Sequence, residues 1–437
     1  MKLQKELLSK NWSWNELEEI QEIGLVKAVR HAYTNSPFYR QLFNETGLNP
    51  GKIEGKANFN QIPFTTKNDL RQAYPYGMTA VPLEKILRIH ASSGTTGKPI
   101  VAGYTRTDLN WWSEAVARIC AMAGVTTKDI AQVSFGYGLF TGGFGLHYGL
   151  EKLGATVVPF SSGNTERQLS LMKDFQTSVL VSTPSFALYM AETASNLGYD
   201  PLDFQLKIGL FGGEPCSEAM REEIEKKWGL IATVNYGLTE VVGPGVAGEC
   251  PHKTGMHILE DLYYPEIIDP ESGAVLPDGH SGELVLTPLL KEGFPVLRYR
   301  TGDITRLIAE KCSCGRNIRR MDYITGRSDD MIIIKGVNVF PSQIEEVLAG
   351  FKEVSPHYQL ILHKTRGTIK DLEVQVELTP EGFTDRYKAL EALERRIKQS
   401  LRSTLSLGPR ITLMEPGSLE RTTGKAKRVV EKEKEDI

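Results

Sequence analysis

The sequence predicts an α/β protein in two parts. A large N-terminal domain over 1–328 has parallel α/β sheets and a β-rich subdomain near 245–325, and a small, mobile α+β domain covers 329–437. Three observations carry this. Between Ile86 and Val234, short apolar runs alternate with helical stretches, the pattern of a largely parallel sheet. From Met256 to Ile324, strands and turns replace the helices. After "ITGRSDDMIIIKG" (Ile324 to Gly336) a compact mixed pattern takes over, of normal domain size.

The elements follow in order. Asn11 to Ala73 reads as helical with polar breaks. "ILRIHA" (Ile86 to Ala91) and "PIVAGYT" (Pro99 to Thr105) read as strands. "IAQVSF", "ATVVPF", "TSVLVS" and "KIGLFG" are β-rich, while "PSFALYMAETASNLG" and "SEAMREEIEKKWG" are helical. "GELVLT" alternates as a strand after the turn "PDGHSG". In the last part "MIII" is a strand, and "PSQIEEVL" opens a helix with Ser342 and Glu345 spaced as a capping box. "YQLILHK" and "LEVQVEL" alternate as strands, "RYKALEALERRIKQSL" is an amphipathic helix, and "RITLME" is a last strand. The end, "LERTTGKAKRVVEKEKEDI", has the composition of a frayed, solvated tail.

Bulk composition excludes several classes. The 437 residues carry 51 Lys and Arg against 54 Asp and Glu, with no basic footprint for nucleic acid. The first twenty residues are too polar for a signal peptide. The longest uncharged run, Ile130 to Leu150, contains six glycines and His147, so no membrane helix is expected. Five cysteines in a chain this long fit a reducing cytoplasm, not a disulfide scaffold.

"SSGTTGKP" supplies Ser92, Ser93, Gly94, Thr95, Thr96, Gly97 and Lys98, a set of amides, hydroxyls and one cation suited to polyphosphate. It fails the P-loop spacing and lies between two strands; the bland alternative is a surface turn. "FGGEP" (Phe211 to Pro215) sits where a strand meets a helix, the place where α/β sheets bind ligands. In "NYGLTE" (Asn235 to Glu240) a hydroxyl, Thr239, adjoins a carboxylate, Glu240, which suits phosphate and Mg2+. "RYRTGD" ends in Asp303, a carboxylate suited to ribose hydroxyls, and "GRSDD" follows it.

This ordered set, closed by "RTTGKAKR", resembles the adenylate-forming superfamily of acyl-CoA synthetases, luciferases and adenylation domains. Within it, "SPFYR", "IPFTTKNDLR", "FGYGLFTGG", "HILEDLYYPEIIDPESG" and "GRSDDMIIIKGVNVFPSQIEEVL" are most similar to phenylacetate-CoA ligases. The resemblance implies an enzyme that activates an aryl acid with Mg-ATP to an acyl-adenylate and passes it to coenzyme A. Ser92 to Lys98 would cradle the β- and γ-phosphates. Gly213, Glu214 and Pro215 would line the adenine, with Asn235 and Tyr236 against the base. Thr239 would bond the α-phosphate, Glu240 would hold Mg2+, and Asp303 with Arg327 would bind the ribose. Lys425 would stabilise charge at the α-phosphate, with Lys427 as the neighbouring candidate. Asp329 would be the domain hinge and Gly336 would border the coenzyme A tunnel. A homodimer is implied by analogy alone.

Phe135, Tyr137 and Phe140 can wall a flat acid pocket, or they are ordinary core aromatics. Lys67 either approaches phosphate or coenzyme A, or is a solvated helix-start lysine. Cys250, His257, Cys312 and Cys314 make a candidate structural zinc set, with His252 in reserve; free thiols near a turn are the alternative. The alternative to coenzyme A is a carrier-protein thiol or another acceptor to which the acyl group is conjugated.

Overall fold

A computed structural model describes residues 12–92, 99–327, 332–334, 337–339, 341–365, 368–384, 386–405, 407–420 and 428–433. Ser93 to Lys98, Asp329, Gly336, Lys425 and Lys427 lie outside the described residues.

Apolar runs build the centre of the molecule. A nine-stranded sheet runs, in spatial order, Leu307–Ile308, Arg320–Met321, Met256–Ile258, Gly243–Gly248, Ile231–Leu238, Ile208–Phe211, Val179–Ser182, Ile130–Val133 and Thr156–Val158. The five strands at the Thr156–Val158 end are parallel, and from Ile231–Leu238 outward the pairing turns antiparallel. Val179–Ser182 is buried along its whole length. Val179 and Val181 belong to one hydrophobic cluster and Leu180 to another. A strand buried on both faces reads as an unbroken apolar run, which is why "SVLVS" was legible.

The β-rich stretch is divided between two sheets. Tyr263–Ile268, Val275–Leu276, Gly282–Pro288, Tyr299–Thr305 and Gly326–Arg327 form a separate five-stranded antiparallel sheet. Met256–Ile258 and Arg320–Met321 instead extend the large sheet, because His257 pairs with Gly248 on one side and Arg320 on the other.

Residues from Ile332 onward have their own core, including Ile344, Leu360, Val374, Ile397 and Leu401. A four-stranded sheet, ordered Arg410–Met414, Thr368–Leu378, Val354–Thr365 and Val429–Glu433, is covered by the helices Pro341–Ala349 and Tyr387–Leu405. Two expectations fail here. The chain end is not a frayed tail over 429–433: Val429 to Glu433 pair in parallel with Leu360 to Lys364. The capping box does not form, because Ser342 lies inside the helix that starts at Pro341. Its hydroxyl donates to the carbonyl of Thr325 across to the larger part, and Glu345 accepts from the Tyr358 hydroxyl at 2.9 Å. His357 Nε2, 3.7 Å from Glu192 Oε1, is a second tie between the parts.

Candidate active site

The glycine-rich loop leaves an antiparallel pair. Arg88–Ala91 pairs with Val101–Tyr104, so the loop is a strand-to-strand connection as the sequence predicts. Ser92 closes its base: its amide donates to Ile100 O at 2.9 Å and its hydroxyl accepts from Ile100 N at 3.0 Å.

Two neighbouring strand ends hold the other motifs. Ile208–Phe211 runs into Gly213, whose φ of 84° is a left-handed conformation suited to glycine. Glu214 Oε1 accepts from Ser185 N at 2.8 Å, fixing this loop to the start of the helix Pro184–Asn196. Pro215 and Cys216 lead into the helix Glu218–Trp228, which Ser217 caps. Asn235 is buried, and its amide donates to Phe211 O at 2.8 Å, tying one strand to the next. Tyr236 donates to Asp303 Oδ2 at 2.5 Å, and Arg327 donates to Asp303 Oδ1 at 2.5 Å. Burial first, and the Asp303 charge second, hold the Tyr236 hydroxyl well above its ordinary pKa, so it remains a neutral donor. A second Arg327 bond, to Thr301 O at 3.1 Å, sets the guanidinium.

The turn after Leu238 carries the phosphate and metal candidates. Thr239 Oγ lies 3.3 Å from Thr141 Oγ, at the start of the helix Thr141–Leu153. Gly237 permits the tight approach here, since a Cβ would lie 1.9 Å from Gly243 O. Glu240 is half-buried, and its carboxylate forms no ion pair among the described residues. Its backbone is held by a residue the sequence reading missed. Lys291 is fully buried, and its Nζ donates to Glu240 O at 2.8 Å. Asp108 places it by accepting from Glu292 N at 2.8 Å and Gly293 N at 2.9 Å. Burial brings the Lys291 pKa down to about 8 despite the Asp108 and Glu240 charges. The only hint in the sequence was one lysine inside the apolar stretch "PLLKEGFPVL".

Of the predicted acid-pocket walls, Phe135 lies next to a motif residue, Gly213: a Cβ there would be 3.5 Å from its ring. Tyr137 meets Phe144 edge-on at 5.2 Å, and its hydroxyl pairs with His147 Nδ1 at 3.1 Å. His147 Nε2 lies 3.2 Å from Glu151. Phe140 is 51% exposed and stands at the N-cap of the helix Thr141–Leu153. Lys67 is the first residue of the helix Lys67–Gln72, capped by Thr66. Its neighbour Thr65 bonds the backbone of Arg298 and Arg300 in the "RYRTGD" segment.

The profile of the AMP-binding enzymes matches residues 47–287, and that of the AMP-binding enzyme C-terminal domain matches 336–433. The phenylacetate-coenzyme A ligase of Aromatoleum evansii is 48% identical over 96% of this chain and 95% of its own. The phenylacetate-coenzyme A ligase of Escherichia coli K12 is 46% identical, with 95% of each chain covered. This chain belongs to the phenylacetate-coenzyme A ligase family. Among solved structures, 2-hydroxyisobutyryl-CoA ligase in its postadenylation state superposes on this family member with a TM-score of 0.90 at 27% identity, over 97% of this chain and 91% of that one. For an open conformation of the same ligase the score is 0.73, although 96% of this chain is still covered. Fold and coverage being equal, the placement of the small part here resembles the postadenylation arrangement.

The cysteine candidates converge as well. Cys250, His257, Cys312 and Cys314 bring their ligand atoms within 4.8 Å of one another. His252 is not part of this group. Burial, with Arg316 and Arg320 nearby, lowers the His257 pKa to about 4, which leaves a neutral imidazole.

Proposed function

We infer that the protein is an AMP-forming acid–thiol ligase that activates phenylacetate or a related arylacetate with Mg-ATP and transfers the acyl group to coenzyme A. Near full-length identity to phenylacetate-coenzyme A ligases carries this reading. A substrate carboxylate oxygen attacks the α-phosphorus and pyrophosphate leaves; the coenzyme A thiolate then attacks the acyl carbon and AMP leaves.

The residue roles belong to the same proposal. Asp303, oriented by Tyr236 and Arg327, takes the ribose hydroxyls. Gly213, Glu214 and Pro215 line the adenine, and Asn235 supports that wall from behind. Thr239 and the loop Ser92 to Lys98 take phosphate oxygens, and Lys425 stabilises the charge that builds on the α-phosphate. A half-buried carboxylate outside any described ion pair fits Mg2+, so Glu240 is its ligand; bound there, the ion would neutralise phosphate charge. Phe135 and Tyr137 wall the acid pocket, Asp329 is the hinge at the 328/329 boundary, and Gly336 borders the coenzyme A tunnel. Zinc, outside the chemistry, belongs on the cysteine–histidine cluster. The enzyme is placed in the cytoplasm as a homodimer, binding neither nucleic acid nor membrane. No helix among the described residues is long and apolar enough to cross a bilayer.

The test is AMP release with Mg-ATP across aryl and aliphatic acids, with and without coenzyme A. A signal confined to arylacetates, dependent on coenzyme A and lost in Lys425→Ala, is expected. AMP release that ignores coenzyme A would instead assign the acceptor to a carrier-protein thiol.

A further inference from the structure

Four metal-binding side chains come from three separate stretches. Cys250 follows the strand Gly243–Gly248, His257 sits on Met256–Ile258, and Cys312 and Cys314 occupy the turn before Arg320–Met321. Cys250, His257 and Cys312 are buried, and Cys314 is partly so. Cys250 Sγ and Cys312 Sγ are 3.7 Å apart, and Cys314 Sγ is 3.4 Å from His257 Nε2. A disulfide needs about 2.05 Å. A tetrahedral zinc ion, with Zn–S of about 2.3 Å and Zn–N of about 2.0 Å, sets its ligand atoms about 3.8 Å apart for two sulfurs and about 3.5 Å for sulfur and nitrogen. These two separations match two edges of that tetrahedron, and all four ligand atoms lie within 4.8 Å of one another.

The geometry points to a closed Cys3His zinc site that staples the antiparallel half of the large sheet and thereby positions the nucleotide-binding strand. Three thiolates and one imidazole select zinc over magnesium or calcium, and four protein ligands leave no open position for a reacting water. Three thiolates around a dication leave one net negative charge. Arg320 lies beside it, held by Thr254 Oγ and by Glu310 O at 2.9 Å. Binding releases the thiol protons to solvent.

The staple reaches the active site through strand pairing. Gly248, two residues before Cys250, pairs with Asn235, and Ala247 pairs with Tyr236. His257 pairs with Gly248 on the other side. Fixing Cys250 and His257 to the turn at 312–314 therefore fixes the register of the strand against which Asn235 and Tyr236 lie. This metal site stands apart from the acid-activating reading, and its presence is read without any turnover.

The experiment uses the full chain, purified under reducing conditions without chelator or added metal. Elemental analysis is expected to give about one zinc per chain, falling below a tenth in Cys312→Ser/Cys314→Ser. Should that variant not fold, cobalt substitution of the wild-type chain decides. The expected spectrum has tetrahedral ligand-field bands and thiolate-to-cobalt charge transfer. Stripping zinc with an organomercurial, then restoring the thiols with reductant, should lower Tm and weaken ATP binding measured by calorimetry, both recovered by added zinc. A wild-type chain that holds no zinc and takes up no cobalt would overturn the site. Zinc that comes and goes with Tm and ATP affinity unchanged would overturn its positioning role.

Discussion

The Tyr236 hydroxyl donates to Asp303 at 2.5 Å across the gap between two different sheets. The bond joins the strand Ile231–Leu238 to the strand Tyr299–Thr305, so the carboxylate proposed for ribose is held by Tyr236 as well as by Arg327. In Tyr236→Phe the carboxylate keeps Arg327 but loses one donor. A hydrogen bond to a charged group contributes about 1.5–3 kcal/mol, so the KM for ATP should rise about ten-fold or more. Steady-state pyrophosphate release measures this. An unchanged KM would show that the bond does not orient Asp303 for the nucleotide.

Lys291 should matter without touching substrate. Lys291→Met keeps the volume but leaves the Glu240 carbonyl without its donor. Loss of such a charge-assisted bond is expected to lower kcat/KM about 10- to 100-fold, from about 1.5–3 kcal/mol of lost positioning. The pH dependence gives a second check. The Lys291 pKa falls from 10.5 to about 8 on folding. Between those values the unfolded chain binds the extra proton, so this group makes stability rise with pH across that window. Below about pH 8 the lysine is charged in both states and the burial cost is borne in full. Denaturant titrations from pH 8 to 10 should therefore show a steeper rise for wild type than for Lys291→Met.

Lys291 also marks the limit of what the sequence displayed. Strands such as Val179–Ser182 were legible because burial on both faces demands an unbroken apolar run. Asp303 and Arg327 could be grouped from their types, a carboxylate and a guanidinium in neighbouring motifs, and they do meet. A buried lysine carries no such mark, because its partner, a backbone carbonyl 51 residues away, is chosen by tertiary structure. The strand Val429–Glu433 was hidden for a related reason. "VVEKE" is mostly charged, as befits an edge strand, and its pairing with Leu360 to Lys364 is non-local. Ser342 and Glu345 matched a capping spacing, but spacing cannot say that Thr325 and Tyr358 would claim them.

A buried ion pair supports the same strand from below. Arg221 and Glu249 are almost wholly inaccessible and 3.0 Å apart, and Glu249 also accepts from Val234 N at 2.7 Å and from the Tyr323 hydroxyl. Glu249→Gln leaves the buried Arg221 charge with only the exposed Glu218 carboxylate, 3.4 Å from its Nε, as counter-charge. Removing one partner of such a pair costs about 3–5 kcal/mol, and for a chain this large Tm should drop by several degrees. Calorimetric unfolding of the variant and of Glu249→Gln/Arg221→Met separates the two contributions, since the double change should recover part of the loss.

Arg428 is expected to separate the two half-reactions. It is the first described residue after the segment bearing Lys425, and three contacts anchor it. Its Nη1 donates to Pro356 O at 3.1 Å and to Tyr358 O at 3.4 Å, and its guanidinium stands 4.3 Å from the Tyr358 ring centroid. Tyr358 in turn bonds Glu345, whose carboxyl is raised chiefly by burial and also by the charge of Glu214 in the adenine motif. The anchor therefore fixes the residue that follows the lysine segment against the sheet of the small domain. Arg428→Ala removes it and should slow ATP–pyrophosphate exchange about ten-fold, the effect of losing one charged hydrogen-bond donor. The thioester step needs a different placement of the small domain in this reading, so consumption of supplied phenylacetyl-adenylate by coenzyme A should be unchanged. Equal loss in both assays would mean that Arg428 only holds the small domain together, and Tm of the variant would then fall in step.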